Sequence, residues 1–183
     1  TDDGAAIDKA IAVAGYLGSD VFIPGISGTT RQHTLPIGTG LVGFGKGQGN
    51  PNGYVKNGSQ IVALGWVGYT DFVIAGAGCR ISNITIDAAK QANYALTLNA
   101  TQCVVHRSNI ARGLLISHNI NSGSSETQAC ELYSGWDQIA VQAPGDTGLH
   151  ANLIYGAGNT YPNVKVNAAT DDVQIIGNHI YKG

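Results

Sequence analysis

The chain has 183 residues, of which 43% are hydrophobic and only 12% charged, with 26 glycines and a formal net charge of −2. That is one domain's worth of chain with enough apolar material for a core, and the low charge separates it from disordered sequences, which combine low hydrophobicity with high net charge. With no basic or acidic block, the balance argues against nucleic acid or an anionic membrane as the main partner, and no run reaches the ~18 apolar residues of a membrane span, so no membrane insertion is expected.

The first segment, "TDDGAAIDKAIAVAG", reads as a short helix. Asp2 or Asp3 can cap its first turn by accepting bonds from orphan N–H groups. Ile7, Ala10, Ile11 and Ala14 recur at i, i+3, i+4 and i+7, one apolar stripe. Gly15 is the expected C-cap. The strand "DVFIPG" follows and ends at Pro24-Gly25. Residues 25–60 carry a Gly every few positions. The spacing of Gly38, Gly40 and Gly43 superficially suggests a dinucleotide loop, but no following helix or acidic partner is present. Short strands separated by Gly turns fit better. From residue 61 to 183 the pattern is strand and turn throughout, in short Ile-, Val-, Leu- and Thr-rich runs bounded by Gly, Asn, Asp or Ser.

These strands repeat. Ile84, Ile110, Leu132, Ile154 and Ile180 follow one another at 26, 22, 22 and 26 residues, and taking Ile86 as the first marker makes the first interval 24. Such a period signals a repeat architecture. Three short strands and no helix in 22–26 residues is the size of one turn of a parallel β-helix. The expected fold is therefore an all-β single-domain solenoid, with inward Ile, Val and Leu and with Asn and Gly at the turns. Residues 1–24 form the cap and first strand, 25–60 the first coils, and 61–183 the regular coils.

At this point the chain resembles the pectate-lyase-like right-handed parallel β-helix proteins, common among phage tailspikes and among polysaccharide lyases and hydrolases. The likeness rests on "TDDGAAIDKAIAVAG…DVFIPG", on "LPIGTGLVGFGKG", and on the coils "GCRISNITID" and "CVVHRSNIARG". It implies a right-handed β-helix plugged at its N-terminal end by the helix around residues 4–14. The function it implies is binding, with possible degradation, of bacterial surface polysaccharide. The setting would be a virion tail or the extracellular space, with a homotrimer as the full-length assembly. A free-standing secreted lyase or hydrolase is the alternative, and a purely structural virion component another. A solenoid needs a polar cap at each end. None is readable at Lys182-Gly183, and the chain starts at Thr1, so a longer protein is expected.

The sequence has 12 acidic residues, and its only two glutamates, Glu126 and Glu131, fall together in "SSETQACELYSGWDQ" beside Trp136 and Asp137. Glycoside hydrolysis commonly needs two carboxylates, so Glu126, Glu131 and Asp137 are the catalytic candidates, against the alternative that they are ordinary surface carboxylates. Asp146, Asp171-Asp172 and Asp87 read as turn formers, because Asx side chains bond nearby backbone. Tyr133, Tyr155 and Tyr181 each follow a marker residue in consecutive coils. They should stack about 4.8 Å apart on the outer face. With Trp136 they are the candidate substrate-binding residues. A ladder that only stabilises the solenoid and a subunit contact remain alternatives. His106 and His150 share a register position with Gln128 between them, without metal-ligand spacing. No metal or other cofactor is expected. Cys79, Cys103 and Cys130 form no metal or redox motif and read as buried thiols.

Overall fold

In a computed structural model, residues 1–47, 57–65, 70–133, 139–156, 161–167 and 172–181 are described. The strands wind into a parallel solenoid with three faces. The first sheet has seven strands, from Asp20–Ile23 to Val173–Ile176. The second also has seven, from Ile26–Thr29 to His179–Tyr181, and the third has six, from His33–Leu35 to Val164–Val166. Each strand pairs in parallel with the equivalent strand one coil earlier and one coil later. Six full coils result, followed by two strands of a seventh.

Register explains the repeat in the sequence. Ile61, Ile86, Ile110, Leu132 and Ile154 occupy one inward column of the second sheet, and all five are 0% exposed. Ile86, not Ile84, is the marker in register. Burying each such side chain contributes about 1.5–3 kcal/mol, so the column is a main source of stability. The bend between the first and second sheets is made by single residues of positive φ. Asn83, Arg107, Ala129, Ala151 and Gly177 stand at equivalent positions, with φ between 47° and 66°. The residues just after them are Ile84, Ser108, Cys130, Asn152 and Asn178, and the last four form a hydrogen-bonded ladder. Asn152 Oδ1 accepts from the Cys130 N–H at 2.9 Å, and Asn152 Nδ2 donates to the Thr127 carbonyl at 2.9 Å. Asn178 repeats the arrangement one coil on, where its Oδ1 accepts from the Asn152 N–H at 2.8 Å. Buried backbone groups that a sharp bend would orphan are thereby satisfied.

The helix, Gly4–Leu17, buries Ile7, Ile11 and Ala14 against the first coil. It runs one turn further than the sequence suggests. Gly15 lies inside it against Pro36, and the C-cap is Gly18, in the left-handed region at φ 63°. Asp3 holds the N-cap position without a side-chain cap bond. Its carboxylate instead accepts from the Gly28 N–H at 3.2 Å, while Asp2 accepts from the Gly4 N–H at 2.9 Å. The buried His33 ties helix to coil, with Nδ1 2.7 Å from Asp8 Oδ1 and Nε2 3.1 Å from Thr29 Oγ1. Burial holds its pKa below the usual histidine value, against the opposing pull of Asp8. All three cysteines are free and buried, and burial pushes the Cys130 thiol up to about 11. Among the described residues no helix is long and apolar enough to cross a membrane.

Candidate functional site

The two glutamates, neighbours in sequence, stand on different faces. Glu126 belongs to the strand Ser125–Gln128 of the first sheet, and Glu131 to Glu131–Tyr133 of the second, with the Ala129 bend between them. The bend turns the strand of one away from the sheet of the other. Trp136 and Asp137 lie outside the described residues.

Glu131 is part of a structural clamp. Its Oε1 lies 2.5 Å from Lys46 Nζ, and its Oε2 accepts from the Tyr133 hydroxyl at 2.5 Å. The Lys46 carbonyl accepts from Thr85 Oγ1 at 2.5 Å and from Asn109 Nδ2 at 2.9 Å. Thr85, Asn109 and Glu131 are equivalent positions of three successive coils, so one residue is tied to three rungs of the second sheet. The tyrosines do form a column in register. Tyr133 and Tyr155 stack at 4.9 Å, and Tyr155 and Tyr181 at 5.0 Å, within 4° and 9° of parallel. The expected exposed row is only partly present. Tyr133 is 3% exposed, whereas Tyr181 is 44% exposed. Burial, then the Glu131 carboxylate, pushes the Tyr133 phenol well above its usual range. Because the rings lie face to face, the face between each pair is covered by its neighbour.

The first sheet carries the other constellation. An open groove of about 400 Å³ is lined by Ser124, Ser125, Glu126, Asp146, Thr147, Gly148, His150, Asp172 and Gln174. Register assembles it from three coils. Ser125 pairs with Thr147 and Thr147 with Val173, so Ser124, Asp146 and Asp172 are successive members of one turn column. Adjacent rungs lie about 4.8 Å apart, and Asp146 and Asp172, on neighbouring rungs, both line the groove. Ser124 and Asp146 both adopt positive φ, 55° and 51°, a conformation that Asx residues tolerate best. The turn role expected for Asp146 therefore holds, and the same turn delivers its side chain to the groove. Glu126 stands two residues inward on the neighbouring rung, with Oε1 3.3 Å from His150 Nδ1. His106, Gln128 and His150 do share one column, but His150 alone of the three lines the groove. No group of three or more His, Cys, Asp or Glu able to hold a metal occurs among the described residues.

The fold and these surfaces define a parallel β-solenoid with an acidic groove on one face and a tyrosine stack on the next. No family model matches the chain, and no curated protein matches it. A solved structure from Parabacteroides merdae, named a "putative glycosyl hydrolase", aligns over 98% of this chain and 91% of its own, at 7% identity and a TM-score of 0.31. At that score the likeness carries nothing about chemistry.

Proposed function

We propose that the protein binds a polysaccharide in the groove of the first sheet and hydrolyses it there. The observation that carries this reading is the gathering of Glu126, Asp146 and Asp172, from three separate coils, in one open groove with His150 against Glu126. An open groove lined from three successive coils suits a chain lying along it rather than a small molecule that is engulfed. In glycoside hydrolysis one carboxylic acid protonates the leaving glycosidic oxygen, and a second carboxylate activates water or attacks the anomeric carbon. Glu126 and the Asp146–Asp172 pair offer both roles. Among its described residues the groove lining holds three carboxylates and no Lys or Arg, so a uronate chain would be repelled. That charge favours a neutral glycan and hydrolysis over eliminative cleavage of an acidic one. Bacterial surface polysaccharide is the substrate class this reading takes first, with a virion or extracellular setting as its natural context.

The test is release of reducing ends from purified neutral bacterial polysaccharides by the wild type and by Glu126→Gln, Asp146→Asn and Asp172→Asn. Loss of at least tenfold in rate is expected for Glu126→Gln, within the range general acid–base groups supply. Products absorbing as unsaturated uronates, or activity untouched by all three changes, would sink the reading.

A further inference from the structure

The outward column that contains Glu126 reads Val104, Glu126, Gly148, Gln174 along four coils. Of these four, only Gly148 lacks a side chain, as Gly40 does further up the same column. It is not among the glycines of positive φ, so the backbone does not demand glycine there. Space does. A Cβ at 148 would stand 3.1 Å from His150 Cε1, 3.3 Å from His150 Nε2 and 3.6 Å from Glu126 Cγ. The imidazole of His150 therefore lies beside the gap above Gly148, between its own column and that of Glu126.

We infer that His150 is a positioning residue for Glu126, and that Gly148 is the gap through which its ring reaches the carboxylate. The inference rests on the hydrolytic reading above. The Glu126 side chain is 45% exposed in an open groove, so without a partner its carboxylate would sweep several rotamers. The 3.3 Å contact to His150 Nδ1 selects one of them. His150 Nε2 is buried with no hydrogen-bond partner, so no competing bond draws the ring elsewhere. A fixed carboxylate matters because small displacements of a reacting group cost large factors in rate.

The experiment compares kcat and KM of the wild type, Glu126→Gln, His150→Ala, His150→Asn and Gly148→Ala on a neutral O-antigen polysaccharide and a galactomannan, by reducing-end release. Thermal unfolding of each variant is measured alongside. His150→Ala should lower kcat by about tenfold or more while KM changes by less than about twofold, the pattern of an interaction used in the transition state rather than in binding. His150→Asn, which keeps an N–H donor near the Nδ1 position, should recover most of the loss. Gly148→Ala should mimic His150→Ala by pushing the ring away. Should Gly148→Ala fail to fold, the two His150 variants decide the matter. A wild type that releases no reducing ends overturns the hydrolytic reading and this inference with it. An active wild type, an inactive Glu126→Gln, and wild-type kcat in His150→Ala would leave the reading standing and overturn the inference alone. So would a His150→Asn variant no better than His150→Ala.

Discussion

The rings of Tyr133 and Tyr155 lie 4.9 Å apart and 4° from parallel, and Tyr155 meets Tyr181 almost as closely on its other side. Tyr155 is thus the middle of a three-ring stack, and its loss removes two face-to-face contacts where the loss of Tyr181 removes one, along with its edge contact to His179. Aromatic pairs contribute about 0.5–1.5 kcal/mol each beyond burial. Tyr155→Ala should therefore destabilise the solenoid by about 1–3 kcal/mol in urea unfolding, and Tyr181→Ala by about half as much. Glycan affinity, measured by calorimetry, should change less in both than in Glu126→Gln. A larger loss of affinity in Tyr155→Ala would move the binding surface to the second sheet.

His118 is fully buried, stacked in register between Leu96 and Val141, with Nε2 2.9 Å from Thr127 Oγ1 across the lumen. Burial lowers its pKa to about 4, with the Leu96 backbone opposing weakly. The unfolded chain takes up that proton near pH 6.5, so it binds more protons than the folded one between pH 6.5 and 4. Stability from this residue is complete above pH 6.5 and falls progressively below it, by on the order of 3 kcal/mol at pH 4. His33, whose pKa is also lowered, acts in the same direction. Urea midpoints from pH 7 to pH 4 should decline, and His118→Leu should flatten the decline. An unchanged slope in His118→Leu would assign the acid sensitivity elsewhere.

Asp87 is 2% exposed and is met by Arg112, whose Nε donates to Oδ1 at 2.8 Å and whose Nη2 donates to Oδ2. Oδ1 also accepts from the Ala89 N–H at 2.9 Å. Removing the guanidinium leaves a buried carboxylate with one backbone partner, which costs about 3–5 kcal/mol. Arg112→Ala should unfold at markedly lower urea than the wild type. The double variant Asp87→Ala/Arg112→Ala should recover part of the loss, because no charge remains buried. If the double variant is no better than the single, the bidentate pair is not the source.

The solenoid was legible because one inward column repeats the same residue type. Ile86, Ile110, Leu132 and Ile154 line up at intervals of 24, 22 and 22 residues, and only stacked coils make such a period useful. The strand Ser125–Gln128 carries little hydropathy signal because its inward residues are Ser125 and Thr127, both buried but polar. There the ladder of neighbouring coils dictates the strand, and hydropathy does not. The tyrosine column was predictable by counting, but the burial of Tyr133 was not. It depends on Lys46 and Glu131, brought together across 85 residues. The groove was hidden for a related reason. Asp146 and Asp172 each look like ordinary turn residues, and only the intervals of 22 and 26 residues from Ser124 to Asp146 to Asp172 align them.

Strand pairing runs only between adjacent coils, so the stack behaves as a ruler graduated in rungs. The groove sits at a fixed number of graduations from the helix that plugs the N-terminal end. Inserting or deleting one whole coil before Ser124 would slide the groove along the axis by one rung, about 4.8 Å, with its cross-section intact. Reach and chemistry are therefore separable quantities in this architecture, and length can be altered without redesigning the groove.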